Sequence, residues 1–188
     1  MRRGGGGALP VLWLFTDFAR LGDPCAAAAG LPRGLCGVVL RDDMTPGRAA
    51  TARALSAICR ARRNLLVVAG DARLARAVGA GVHLRGGRRL RGMAGLRGVV
   101  TSSAHGVAEL RQAGAAGADV VFLSPAFASA SHPGAAGLGA VRWGAMARRA
   151  PKGMGGSLVV GALGGVDGRS VRRLAGLGCA AAIGALAP

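Results

Sequence analysis

The stretch Leu65-Leu66-Val67-Val68-Ala69-Gly70-Asp71 is five apolar residues, a glycine and a carboxylate. The apolar residues do not alternate with polar ones, as they would in a strand with one wet face. An unbroken run of this length reads as a strand covered on both faces, the situation of a parallel sheet layered by helices. The glycine ends it, Asp71 stands just past its C-terminal end, and "DARLARAVGA" (71–80) follows with helical spacing.

The same unit recurs along the chain. Apolar runs occupy 11–17, 36–42, 81–84, 98–103, 119–124, 158–165 and 180–184. Helical patterns are expected at 45–63, 104–118, 139–150 and 167–180, the first opening on Thr45-Pro46 and several closing on glycine. Connections after the first and fourth runs are too short or glycine-rich for full helices, and little chain follows the last. Eight strands with intervening helices fit a (β/α)8 TIM barrel with shortened first, fourth and last helices better than an open parallel sheet. The chain of 188 residues has room for one such domain, assigned to 11–188 behind a flexible segment 1–10.

Composition limits the function classes. The formal net charge is +17 and Lys152 is the only lysine, so the basic side is almost all arginine. Such a balance invites a polyanion. Along the sequence, however, the arginines are dispersed and aromatics make up 3%, leaving few platforms for stacked bases, so no nucleic-acid partner is expected. No segment approaches the roughly 20 apolar residues of a membrane helix, so no membrane partner is expected either. The cysteines at 25, 36, 59 and 179 show no paired or metal-ligand spacing and read as reduced thiols of a cytoplasmic protein.

Polar residues gather where the apolar runs end: Asp17, Arg41, Asp71, Ser103, His105, Ser124 and the pair Gly164-Gly165. In a barrel these ends meet on one face, where active sites form. The diglycine, with Gly184 after the last strand, exposes backbone N–H groups suited to a phosphate. His105 is the better acid/base candidate, because imidazole titrates near neutrality. His83, inside an apolar strand, reads as a core residue.

The order "FTD … VVLRD … GD … GVHL … SSAH … GADVVFLSPAF … GALGG … AAAIGAL" resembles the thiamine phosphate synthase/TenI superfamily over about Leu12 to Leu186. The resemblance implies a (β/α)8 barrel, a thiazole phosphate as ligand and, by habit of the class, a homodimer. It implies one of two reactions. A synthase joins a pyrimidine pyrophosphate to the thiazole phosphate with Mg²⁺, for which Asp71 is the metal candidate. A TenI-type tautomerase moves a proton on a thiazole carboxylate phosphate with a histidine and no cofactor. Arg41, Ser103, His105, Gly164 and Gly165 match the pattern, with Ser124 beside them. Family lysines stand here as Asp43 and His132, and a family acidic residue as Arg88, with Arg85 nearby. A departing pyrophosphate needs positive charge where negative charge builds, so the tautomerase is the preferred expectation. Its catalytic set is His105, Ser103 and His132, and its phosphate set is Arg41, Gly164, Gly165, Gly184 and Ser124. The synthase, and a silent barrel that only binds a phosphorylated ligand, are the alternatives.

Overall fold

A computed structural model describes residues 8–41, 46–129, 136–153, 156–174 and 178–182. Within these residues the chain folds as a closed parallel barrel of eight strands. They are β1 (Leu12–Phe15), β2 (Cys36–Leu40), β3 (Leu65–Ala69), β4 (Gly81–Leu84), β5 (Val100–Ala104), β6 (Val120–Leu123), β9 (Val159–Ala162) and β10 (Cys179–Ala182). Between β6 and β9 two-residue strands, β7 (Lys152–Gly153) and β8 (Gly156–Ser157), pair antiparallel outside the barrel. Each barrel strand pairs with its sequence neighbour, β6 with β9, and β10 closes on β1 through Leu12 opposite Ala180.

The outer layer holds α1 (Phe18–Leu21), α2 (Pro24–Gly30), α3 (Arg48–Arg62), α4 (Ala72–Ala77), α5 (Val107–Ala115) and α6 (Gly139–Ala147). In α3 the buried residues Ala52, Leu55, Ser56 and Cys59 recur at the three- and four-residue spacing of a single helix face. Ser56, the polar member, donates its hydroxyl to the carbonyl of Val78 at 2.7 Å.

The connections after β1 and β4 lack full helices, as expected, and one helix farther on needs correction. The connection after β1 holds two helical pieces. Asp23 accepts from the N–H of Cys25 at 2.7 Å and Pro24 occupies the first turn, an N-terminal signal in "DPCAAAAG" that the shortness of the loop obscures. After β4 no helix forms among the described residues: 85–99 is an irregular connection with left-handed glycines at 86, 87, 92, 95 and 98. The helix expected over 167–180 is a single 3₁₀ turn, Val171–Arg173, among the described residues. The expectation of a shortened last helix falls outside the described residues.

Alternating side chains fill the barrel. Trp13, Phe15, Val39, Val67, Val120, Phe122, Cys179 and Ala181 form one interior cluster. Trp13 fits because Gly37, opposite it on β2, has no side chain: a Cβ there would overlap the indole ring itself. The indole N–H donates to Pro10 O at 3.0 Å, and Leu9 packs against the same cluster, so the packed unit includes these two residues of the expected leader. Of the chain's few aromatics, Trp13, Phe15 and Phe122 stand here in edge-to-face contact, with ring centroids 5.0–5.4 Å apart. A chain poor in aromatics thus concentrates them where the volume to be filled is largest.

Candidate active site at the C-terminal mouth

Parallel strands present all their C-terminal ends to one rim, so Arg41, Asp71, Ser103, His105, Ser124, Gly164 and Gly165 come together there. The calls at Asp43, His132 and Gly184 lie outside the described residues. The rim has two unlike halves.

On the β1–β3 side Asp17, Arg20, Arg41, Arg48 and Asp71 are paired with one another. Asp17, after β1, accepts from Arg41 Nη2 at 3.0 Å, and Arg20 Nε lies 3.7 Å from the same oxygen. The backbone N–H of Arg41 donates to Thr16 Oγ1 at 3.0 Å. Asp71 caps α4 by accepting from Leu74 N at 2.8 Å, and Arg48 Nη1 stands 3.8 Å from its other oxygen. Arg48 also donates to Ala69 O at 2.6 Å, which sets its guanidinium beside the end of β3.

That pairing bears on Mg²⁺, whose six octahedral ligands are oxygens. One oxygen of Asp71 is occupied by a backbone N–H and the other faces a cation. Among the described residues no three His, Cys, Asp or Glu side chains gather as ligands. Asp71 serves among the described residues as a helix cap and an ion-pair partner.

On the β5–β6 side the groups are directed by hydrogen bonds rather than by ion pairs. His105 follows β5, and its Nδ1 lies 3.0 Å from the carbonyl oxygen of Ser124 and 3.3 Å from that residue's hydroxyl. A carbonyl only accepts, so Nδ1 carries a proton, and Nε2 has no hydrogen-bond partner among the described residues. The backbone N–H of His105 donates to Glu109 Oε2 at 2.8 Å. The ring is exposed, whereas Ser124 is buried and donates its own N–H to Ala104 O at 2.9 Å. The imidazole is therefore aligned by a fixed backbone and open at the nitrogen that can exchange a proton.

Ser103 is engaged elsewhere. Its hydroxyl accepts from Gly86 N at 3.3 Å, while Ser102 Oγ accepts from Gly87 N at 3.0 Å, so the two serines of β5 pin the turn after β4. No hydrogen bond among the described residues joins Ser103 to His105.

The diglycine sits after β9 in left-handed backbone, φ 89° at Gly164 and 62° at Gly165. A Cβ on Gly164 would come within 3.0 Å of Pro125 Cα, and one on Gly165 would strike the carbonyl of Ala128. The carbonyls of Leu163 and Gly164 accept from Ala126 and Phe127, at 2.8 and 3.0 Å, and that of Gly165 accepts from Ser170 Oγ at 2.9 Å. Their carbonyls are spoken for, and no acceptor among the described residues takes the N–H of Gly164 or Gly165. Two successive N–H groups without an acceptor are donors of the kind that an anion takes. The N–H groups of Arg169 and Ser170 are not among them, because Asp167 accepts both, at 2.9 and 2.7 Å. Those hydrogen bonds, the one from the backbone of Ser170 foremost, hold the Asp167 carboxyl below its usual range.

Below the mouth, His83 lies inside the barrel with its Nδ1 2.8 Å from Thr101 Oγ1 and its ring edge-on to Phe15 at 5.4 Å. Burial, with the charge of Arg41, lowers its pKa from 6.5 to about 3. It is a neutral core residue, as its place in an apolar strand suggests.

Sequence reasoning passed over Arg48, Thr101 and Glu109. Glu109 had a signal, since it stands three residues after Gly106, the N-cap of α5, where a carboxylate reaches back to the start of a helix. Arg48 and Thr101 had none, because their partners come from other strand–helix units.

A family description, thiamine monophosphate synthase, matches residues 25–186. Among solved structures, a thiamine phosphate pyrophosphorylase from Pyrococcus furiosus superposes with a TM-score of 0.74 at 21% identity, covering 92% of this chain and 84% of that one. A thiamine phosphate pyrophosphorylase from Bacteroides thetaiotaomicron superposes at 0.59 with 20% identity, over 94% and 83% of the two chains. FabK from Thermotoga maritima reaches 0.68 at 15% identity, over 93% of this chain and 58% of that one. At these identities the structural likeness shows the barrel alone. No curated protein sequence matches.

Proposed function

The chain belongs to the thiamine monophosphate synthase family, and from that premise we propose that it is a TenI-type isomerase that moves a proton on a thiazole carboxylate phosphate. The observation that carries the reading is His105, held through Nδ1–H to Ser124 O with Nε2 open to the mouth. Nε2 takes a proton from a ring position of the substrate. The imidazolium that results keeps its hydrogen bond to the Ser124 carbonyl. The proton then returns to a second ring position, so no atom is gained or lost and no cofactor is consumed. The N–H groups of Gly164 and Gly165 hold the phosphate during both transfers. Ser103 shapes the neighbouring turn, and Arg41, neutralised by Asp17, lines the opposite rim.

A synthase reading asks more of this rim. Pyrophosphate departure needs concentrated positive charge, whereas Arg41 and Arg48 are already paired with carboxylates and Asp71 caps a helix.

Incubation of the protein with a thiazole carboxylate phosphate in D₂O, followed by NMR, tests the proposal. Metal-independent deuterium incorporation that is lost in His105→Gln supports it. Exchange that persists unchanged in His105→Gln overturns the role of His105. Absence of exchange together with Mg²⁺-dependent thiamine phosphate formation establishes the synthase instead, and phosphate-ligand binding with neither activity leaves a silent barrel.

A further inference from the structure

The fold brings the arginines of three consecutive connections side by side. The connections after β3, β4 and β5 are neighbours around the barrel, so α4, the coil 85–99 and α5 form one continuous outer face. Arg76 on α4 donates to Gly92 O at 2.7 Å and to Ala94 O at 3.0 Å, tying the helix to the coil. On the other flank Gly87 lies so close to the backbone of Gln112 and Ala113 that a Cβ would collide with it. The coil is further anchored by the Ser102 and Ser103 hydroxyls and by the buried side chains of Met93 and Leu96. It is irregular but held at many points.

On this face Arg73, Arg88, Arg89, Arg91, Arg97 and Arg111 are exposed, and none of their side chains makes a hydrogen bond or ion pair among the described residues. None of the described acids forms an ion pair with them. Asp42 and Asp43 lie outside the described residues, and the other six of the eight are engaged. Asp17 pairs with Arg41, Asp71 with Arg48, and Asp23, Glu109, Asp119 and Asp167 each accept from backbone N–H groups. The excess behind the net charge of +17 is therefore displayed, and much of it is displayed here.

We propose that this face binds the phosphate backbone of duplex nucleic acid without reading its sequence. A duplex presents about one charge per 1.7 Å of axis, and guanidinium forks grip phosphate oxygens in pairs. Other polyanionic partners fit less well. Among the described residues the exposed large apolar ones are Val11, Leu35 and Val141, all off this face, so it lacks what would enter a bilayer or form the dry centre of a protein interface. Residues 71–115 contain no Phe, Trp or Tyr, so no ring is available to stack an unpaired base. Regularly spaced phosphates are what remains. This inference is independent of the chemistry at the mouth.

Fluorescence anisotropy with two unrelated duplexes of about 20 base pairs tests it. Both are expected to bind alike, with log K falling against log salt at a slope of about −3 to −5. The Arg88→Gln/Arg89→Gln/Arg91→Gln variant is expected to weaken binding at least about tenfold at low salt and to flatten the slope by about 1 to 3. Removing as much charge from α3, as Arg53→Gln/Arg60→Gln/Arg63→Gln, is expected to change affinity less than about twofold. Equal losses in the two variants would mean diffuse charge rather than this face, and overturn the proposal. So would tighter binding to single strands, preferential binding to phosphatidylserine vesicles, or no duplex binding at low salt.

Discussion

The two halves of the barrel mouth are built from equally polar residues and end in opposite states. On the β1–β3 side, Asp17, Arg20 and Arg41 and then Arg48 and Asp71 close into ion pairs that also cap a helix and secure a strand end. On the β5–β6 side, His105 is fastened by one ring nitrogen and by its backbone, and its second nitrogen is open. The charged half looks the more chemical in a list of residues, yet its charges are already satisfied. Reactivity at such a rim depends on what is positioned and left unpaired, and the imidazole meets that description.

The contrast breaks most visibly at His105. His105→Gln is expected to slow proton exchange by about 10²- to 10⁴-fold, with the melting temperature nearly unchanged because the ring is exposed. An exchange rate within a few-fold of wild type, measured by NMR, would move the chemistry to the other half.

Next in size is the titration of His83. Its folded pKa of about 3 lies below the ordinary 6.5, so as pH falls the unfolded chain binds the proton first. The stability from burying the neutral ring is whole above about pH 6.5 and is lost progressively toward pH 3, at up to about 1.4 kcal/mol per pH unit. Denaturant unfolding of wild type and His83→Gln between pH 7 and pH 5 isolates this slope, because carboxylates with ordinary pKa values titrate below that window. A wild-type slope equal to that of His83→Gln would show that the interior ring takes up protons as freely as the open one.

Asp71→Ala is expected to cost about 1 kcal/mol through the lost helix cap, seen as a lower denaturation midpoint. Proton exchange should stay within about twofold of wild type, with or without EDTA. A strong EDTA effect on exchange would return Asp71 to the ligand set of a metal. Smallest is Arg41→Gln, expected to change stability by less than about 0.5 kcal/mol, since the guanidinium is exposed and Arg20 remains beside Asp17. A rise in KM above about tenfold would place Arg41 on the substrate.

Strand positions followed from apolar runs, so "LLVVAGD" and its seven counterparts place β1 to β6, β9 and β10 within a few residues. The rim residues were legible for the same reason, because in a parallel barrel the position after a strand is also a position in space. Helices were less legible where tertiary packing replaces propensity. The helical pattern over 167–180 yields one 3₁₀ turn among the described residues, with Asp167 drawing the N–H groups of Arg169 and Ser170 into a tight local turn. A glycine-rich segment without helical signal, 85–99, is held by contacts from α4, β5 and α5.

By itself the sequence determined the closed parallel barrel, the rim on which its polar residues meet, and His83 as a core residue, because these depend on hydrophobic periodicity and chain order. Only the tertiary structure decided which rim groups are neutralised, which imidazole nitrogen is open, and that scattered arginines share one face. Those outcomes depend on contacts between residues tens of positions apart, such as Arg41 with Asp17, Arg48 with Asp71 and His105 with Ser124. Ion pairs and directed hydrogen bonds act over a few ångströms, and the folded backbone alone brings these partners within that range.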